Sequence, residues 1–157
     1  MIIEVAHSRI ECDPQATRQA YALRTTGSPE ECGCLHCRNF AAARHQTYSE
    51  QALDLFAKIG INANREAEIY HNGQLPSGLH YYGGWFHFVG KFLPTTANQP
   101  DNNEDNHEFE FVSLSEHFQI AATSHVHLIP SSFEGLPLVQ LEFLAEVPWI
   151  LIEPFTD

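Results

Sequence analysis

The chain has 157 residues, enough for one domain with a sizeable core. Hydrophobic residues make up 43% of it, an ordinary share for a globular protein, and no apolar run reaches the length that a membrane-spanning helix needs. A formal net charge of −12 argues against nucleic acid and anionic membranes as partners, since both attract cationic faces.

Taken in chain order, the first residues lack a basic stretch followed by an apolar one, so no secretion signal is expected. The four cysteines are then expected as reduced thiols in the cytoplasm. Residues 2–12 read as one strand, with Ile2, Ala6, Ile10 and Cys12 on one face and Ile3 and Val5 starting the other. Asp13-Pro14 predicts a helix start, a capping carboxylate before a proline at the first helical position. Ala16, Ala20 and Leu23 are its expected buried side, with Thr17 and Tyr21 beside them. Residues 25–29 read as a loop by composition, and residues 38–45 as a second helix. Ser49 is expected to cap a third, in which Ala52, Leu53, Phe56 and Ile59 recur at helical spacing. Gly60 supplies its left-handed stop and Ile61 covers the last turn.

Strands follow. Residues 66–71 are expected as a short strand ending at the turn pair Asn72-Gly73. Residues 79–93 form the longest β-like run, with Gly83-Gly84 marking a bulge or a close backbone approach. Residues 94–106 read as a polar hairpin loop. Alternation of Phe109 and Phe111 with Glu108 and Glu110 predicts a strand with one wet face. Residues 118–123 and 126–129 are further expected strands. In another, opened by Leu136-Pro137, Val139, Leu141, Phe143 and Ala145 share a face. Pro148 ends it, and residues 149–152 make a last apolar run. The class is α+β: a mostly antiparallel sheet of about five to seven strands, with two to three helices from the N-terminal half on one face or end. A single domain over 1–157 is expected, with a strand-plus-helix part at 1–61 and a β-rich part at 62–157.

Chemistry concentrates at Cys32-Gly33-Cys34-Leu35-His36-Cys37. Thiolates two and three residues apart in a turn can converge on one zinc ion, which takes four ligands with sulfur at about 2.3 Å. Cys32, Cys34 and Cys37 leave one corner. Cys12 is the expected fourth ligand, with His45 or a histidine from the sheet as substitutes, and His36, inside the turn, is worse placed. The same residues allow thiol chemistry, because Cys34-x-x-Cys37 at a helix start would favour a thiolate. The strand–helix–strand context of a thioredoxin-like site is missing, however. The plainest alternative is that the cysteines are small apolar filler, which suits Cys12 best. Arg38 could stabilise a thiolate or bind an anion, or simply be salt-bridged.

Elsewhere, Tyr81, Trp85 and His87 share one strand face and could line a small-ligand pocket; an aromatic core with hydrogen-bonded tips is the alternative. His125 and His127 could form a metal pair on a strand, although such pairs are more often surface residues. Asp101, Glu104, Asp105, Glu108 and Glu110 lack the alternation and central glycine of a calcium loop.

The segments Cys32-Gly33-Cys34-x-x-Cys37-Arg38-Asn39-Phe40, Glu68-Ile69-Tyr70, Tyr82-Gly83-Gly84-Trp85-Phe86-His87-Phe88-Val89-Gly90 and Pro148-Trp149-Ile150-Leu151, with the 53–61 helix, resemble a family of small bacterial proteins of no established activity. The resemblance implies a bacterial cytoplasmic source and, since the family has no established activity, transfers no catalytic role. The resulting expectation is a non-catalytic zinc-binding domain whose partner is a small molecule or a protein. A thiol enzyme and a metal-free ligand binder are the alternatives.

Overall fold

A computed structural model of the protein describes residues 1–94 and 108–156. The chain opens with a hairpin, not one strand: β1 (Ile2–Val5) pairs antiparallel with β2 (Ser8–Cys12). Ala6 and His7 turn it with φ of 49° and 67°. Two positive φ values match the twist of the flanking strands. The hairpin also corrects the expected faces, for Ile3, Val5 and Ile10 are buried together while Ile2 is exposed.

Helix α1 (Pro14–Ala22) begins as expected, the Asp13 carboxylate accepting from the Ala16 amide at 3.0 Å. Its buried side is Thr17, Ala20 and Tyr21, whereas Leu23 is 75% exposed. The reason lies in the long central strand β4 (His80–Phe92). One edge of β4 pairs with β3 (Glu68–Gln74) near its start and with β2 at its end. Between those partners α1 completes the edge with polar groups. Val89 N–H donates to Thr17 Oγ1 at 2.9 Å, Asp13 N–H to Val89 O at 2.9 Å, and the Tyr21 hydroxyl to His87 O at 2.7 Å. A buried strand edge needs partners, so this helix turns inward the side chains that supply them.

The other edge of β4 pairs with β7 (Leu138–Val147) from His80↔Val147 to Val89↔Leu138. β6 (Phe118–Thr123) and β5 (Val112–Ser115) follow. The result is one antiparallel seven-stranded sheet of order β1-β2-β4-β7-β6-β5, with β3 also on β4. Helices α2 (Ser28–Cys32), α3 (Leu35–Thr47) and α4 (Glu50–Ile59) complete the N-terminal half, so the class is α+β. Phe40, Tyr48 and Phe56 from α3, α4 and their junction pack on Tyr82, Phe86, Phe118 and Phe143 of the sheet. Val139, Leu141, Phe143 and Ala145 are all buried on β7, as alternation requires. Ser49 caps α4, and Gly60 ends it at φ 92° with Ile61 N–H donating to Phe56 O.

Several expected strands fail. β3 runs through Asn72-Gly73, and the chain turns at Leu75–Gly78 instead, where the Gly78 amide reaches Leu75 O. Residues 108–111 are not strand; Phe109 adopts φ 61°, and β5 starts at Val112. Residues 126–129 form a loop in which Leu128 has φ 49°, and residues 149–152 are likewise irregular. Apart from residue 94, the expected hairpin loop at 94–106 lies outside the described residues. At Gly83-Gly84 the pairing with β7 is continuous, so the glycines mark a close approach and no bulge. A Cβ on Gly83 would strike the Tyr70 ring, and one on Gly84 the Glu68 carbonyl oxygen. Among the described residues no helix is long and apolar enough to cross a membrane.

Candidate metal centre

The cysteine segment is a junction between two helices. α2 starts at Ser28, inside the stretch expected as loop, and ends at Cys32. Gly33 closes it at φ 67°, a conformation that only glycine adopts without penalty, in open space where a side chain would meet nothing. Cys34 then caps α3, its Sγ accepting from the Cys37 amide at 3.5 Å. This reversal brings the sulfurs of Cys32, Cys34 and Cys37 within 4.8 Å of one another. Three ligands of one tetrahedral zinc lie about 3.8 Å apart, given bonds of about 2.3 Å, so a modest adjustment would seat an ion. Cys37 is buried; Cys32 and Cys34 are exposed.

A buried ionic network holds the junction. The Glu66 side chain is 0% exposed and receives Arg44 at 2.8 and 3.0 Å and the Tyr48 hydroxyl at 2.6 Å. Arg44 also grips Glu30 of α2 at 2.6 and 3.2 Å. Burial alone would raise the Glu30 carboxyl, but the Arg44 contacts hold it below its ordinary range. Burial and the Glu66 charge keep the Tyr48 phenol protonated. Ser28 N–H donates to Glu66 O at 2.9 Å, and a Cβ on Gly27 would meet Asn64 O at 2.8 Å and both carboxylates just beyond. Arg44 therefore ties α2 and α3 to the segment that leads into β3, and so fixes where the thiols meet.

The other flank is closed by the C-terminal segment. Asn39, fully buried, accepts from Ile150 N–H at 2.8 Å and donates to Pro148 O at 3.1 Å. Tyr82 donates to His36 O at 2.7 Å. Arg38 pairs with Glu153 at 2.7 Å, one of the readings its position allowed. The His36 ring donates from Nε2 to Thr156 O at 3.3 Å and stacks on His71 at 4.2 Å. His71 Nδ1 accepts from Gly73 N–H, which leaves its Nε2 to donate to His80 Nδ1 at 2.9 Å. Trp149 and Phe155 pack against His80.

The thiols differ in chemistry. Burial pushes Cys34 up, but the Cys37 amide, the Cys32 and Cys37 thiols and the His36 amide outweigh it and hold Cys34 below its ordinary value. Cys37 is pushed well up, first by burial and then by donating to Cys34 and Cys32. Cys34 is thus the more acidic thiol of the set and Cys37 the less acidic.

The other expected site residues lie elsewhere. Cys12 is buried on β2 opposite Gly90, its thiol raised by burial, and is not part of the three-sulfur group. His45, exposed in the last turns of α3 beside Gln46, is not part of it either. Tyr81, Trp85 and His87 do not meet around one cavity. Tyr81 lines a cleft of about 160 Å³ with Leu75 and His117, Trp85 Nε1 donates to His127 O at 3.2 Å, and His87 is buried against Phe133 and Gln140. His125 and His127 sit on an irregular loop, with His125 stacked on Phe109. Residues 101, 104 and 105 lie outside the described residues. Sequence reasoning missed the Glu30–Arg44–Glu66 network, the Asn39 clamp and the His36–His71–His80 stack. Only the short step from Glu30 to Cys32 and from Cys37 to Asn39 hinted at any of them. Comparison with protein-family models, curated proteins and solved structures found no match.

Proposed function

We propose that the chain is a non-catalytic zinc-binding domain with a structural or interaction role. In this reading Cys32, Cys34 and Cys37 hold one ion and pin α2 to the start of α3. The observation that carries it is the mutual approach of three sulfurs to within 4.8 Å at the two-helix junction. Thiolates suit zinc, and so does the absence of a carboxylate from the group. The reading agrees with a bacterial, cytoplasmic origin, as the family resemblance of the cysteine segment implies. Elemental analysis of untagged protein purified under reducing conditions tests it. Close to one zinc per chain is expected, lost in Cys37→Ser; a trace of metal only would sink it.

The asymmetry between an exposed, acidified Cys34 and a buried, proton-holding Cys37 favours a second reading, a thiol centre for redox or covalent chemistry. Alkylation rates at mildly acidic pH separate the two. Thiol chemistry requires Cys34 to react faster than a free thiol in metal-free protein, and metal binding alone requires that zinc protect all three.

A further inference from the structure

A structural zinc site has four protein ligands, whereas a site that engages something else has three and an open position. Among the described residues only three donors converge here. The nearest imidazole in sequence, His36, is not among them; its Nε2 donates to Thr156 O and its ring stacks on His71. Cys12 is buried in the hairpin, on a strand that pairs with β1 and the end of β4. Arg38, the adjacent cation, is occupied by Glu153. Of the three residues, Cys37 is buried while Cys32 and Cys34 are exposed. The remaining corner of a tetrahedron resting on Cys37 therefore opens outward.

Charge decides what would fill that corner. Three thiolates and one Zn²⁺ sum to −1, and the chain as a whole carries −12. A further anion meets repulsion from both, while a neutral nitrogen donor meets none. Imidazole is the neutral side-chain donor that zinc accepts best. Resting on the zinc reading above, we propose that the ion on Cys32, Cys34 and Cys37 keeps its fourth position open and takes there a histidine imidazole of a partner protein. The centre is then a docking point whose affinity for the partner runs through a metal–nitrogen bond.

Cobalt reports the coordination set directly. Untagged, reduced protein reconstituted with Co²⁺ should show thiolate-to-metal absorption together with visible bands. Millimolar imidazole should shift those bands in a saturable way, and do so at about tenfold lower concentration than a small thiol. The variants Cys12→Ala, His36→Ala and His45→Ala should keep both the bands and the response. Bands that ignore imidazole would mean that the chain closes its own fourth corner, and would overturn the proposal while leaving the zinc reading intact. A thiol that binds more tightly than imidazole would overturn the choice of donor. No cobalt–thiolate band at all would overturn the zinc reading and this proposal together.

Discussion

Glu66 has a carboxylate with no exposed surface, and Arg44 and Tyr48 both donate to it. Removing Arg44 would strand that charge, which costs about 3–5 kcal/mol for a buried pair. Arg44→Met should therefore lower the urea midpoint sharply, while the double variant Glu66→Leu with Arg44→Met recovers much of the loss. A single variant no worse than the double one would contradict the burial of Glu66. His87 makes a pH prediction. Burial lowers its pKa from 6.5 to about 4, so the unfolded chain takes up this proton first as pH falls. The stability linked to His87 is complete above about pH 6.5 and is lost on acidification toward about pH 4, about 2 kcal/mol of it between about pH 7 and pH 5. Urea melts of the wild type and His87→Phe at those two pH values would measure it, and equal pH slopes would refute it. Single residues were legible in the sequence where their partners are local. Asp13, Ser49 and Gly60 act within four residues of themselves. Glu66 could not be read in this way, because its donors stand 18 and 22 residues upstream.

At the scale of elements, a shared apolar face exposed β7, whose Val139, Leu141, Phe143 and Ala145 are all buried, and β4 and β6 were legible as apolar β-like runs because most of their residues are buried. Such patterning misled where a turn lacked its usual residues. Nothing in Ala6-His7 advertises two left-handed conformations, so a hairpin read as one strand. The inward face of α1 also defied an apolar count, because its work is to hydrogen-bond the bare edge of β4 through Thr17 and Tyr21. The glycine pair on β4 gives the sharpest test of the β3–β4 contact. At Gly83 the obstacle to a side chain is the far end of the half-buried Tyr70, which can swing aside. At Gly84 it is the Glu68 backbone, whose retreat would break the strand pairing. Gly84→Ala should therefore destabilise by more than Gly83→Ala, and by at least the roughly 1–3 kcal/mol typical of overpacking. Chemical denaturation ranks them, and the reverse order would show that β3 sits farther from β4 than described.

For the whole molecule the question is how much of the fold the cysteine centre supports. The three cysteines span only residues 32–37, so an ion held there would close a very short loop and gain little from loop entropy. The rest of the chain has its own core of Phe40, Tyr48, Phe56, Tyr82, Phe86, Phe118 and Phe143, packed across helices and sheet. That core does not pass through the thiols, and the Arg44–Glu66 network anchors α2 to the sheet without them. Zinc bound as proposed should therefore stabilise by mass action alone, about 2.7 kcal/mol when free zinc is at about a hundred times its dissociation constant. In a chain of this size that is about 5–10 °C of Tm. Chelation should lower Tm by this much and leave the far-ultraviolet circular dichroism of the sheet unchanged. Faster amide exchange should be confined to α2 and the first turn of α3. This behaviour differs from that of small zinc fingers, which unfold without their ion because they have no other core. Global unfolding on chelation would mean that the aromatic core cannot hold the sheet and helices together unaided. An unchanged Tm would mean that the three sulfurs bind no metal.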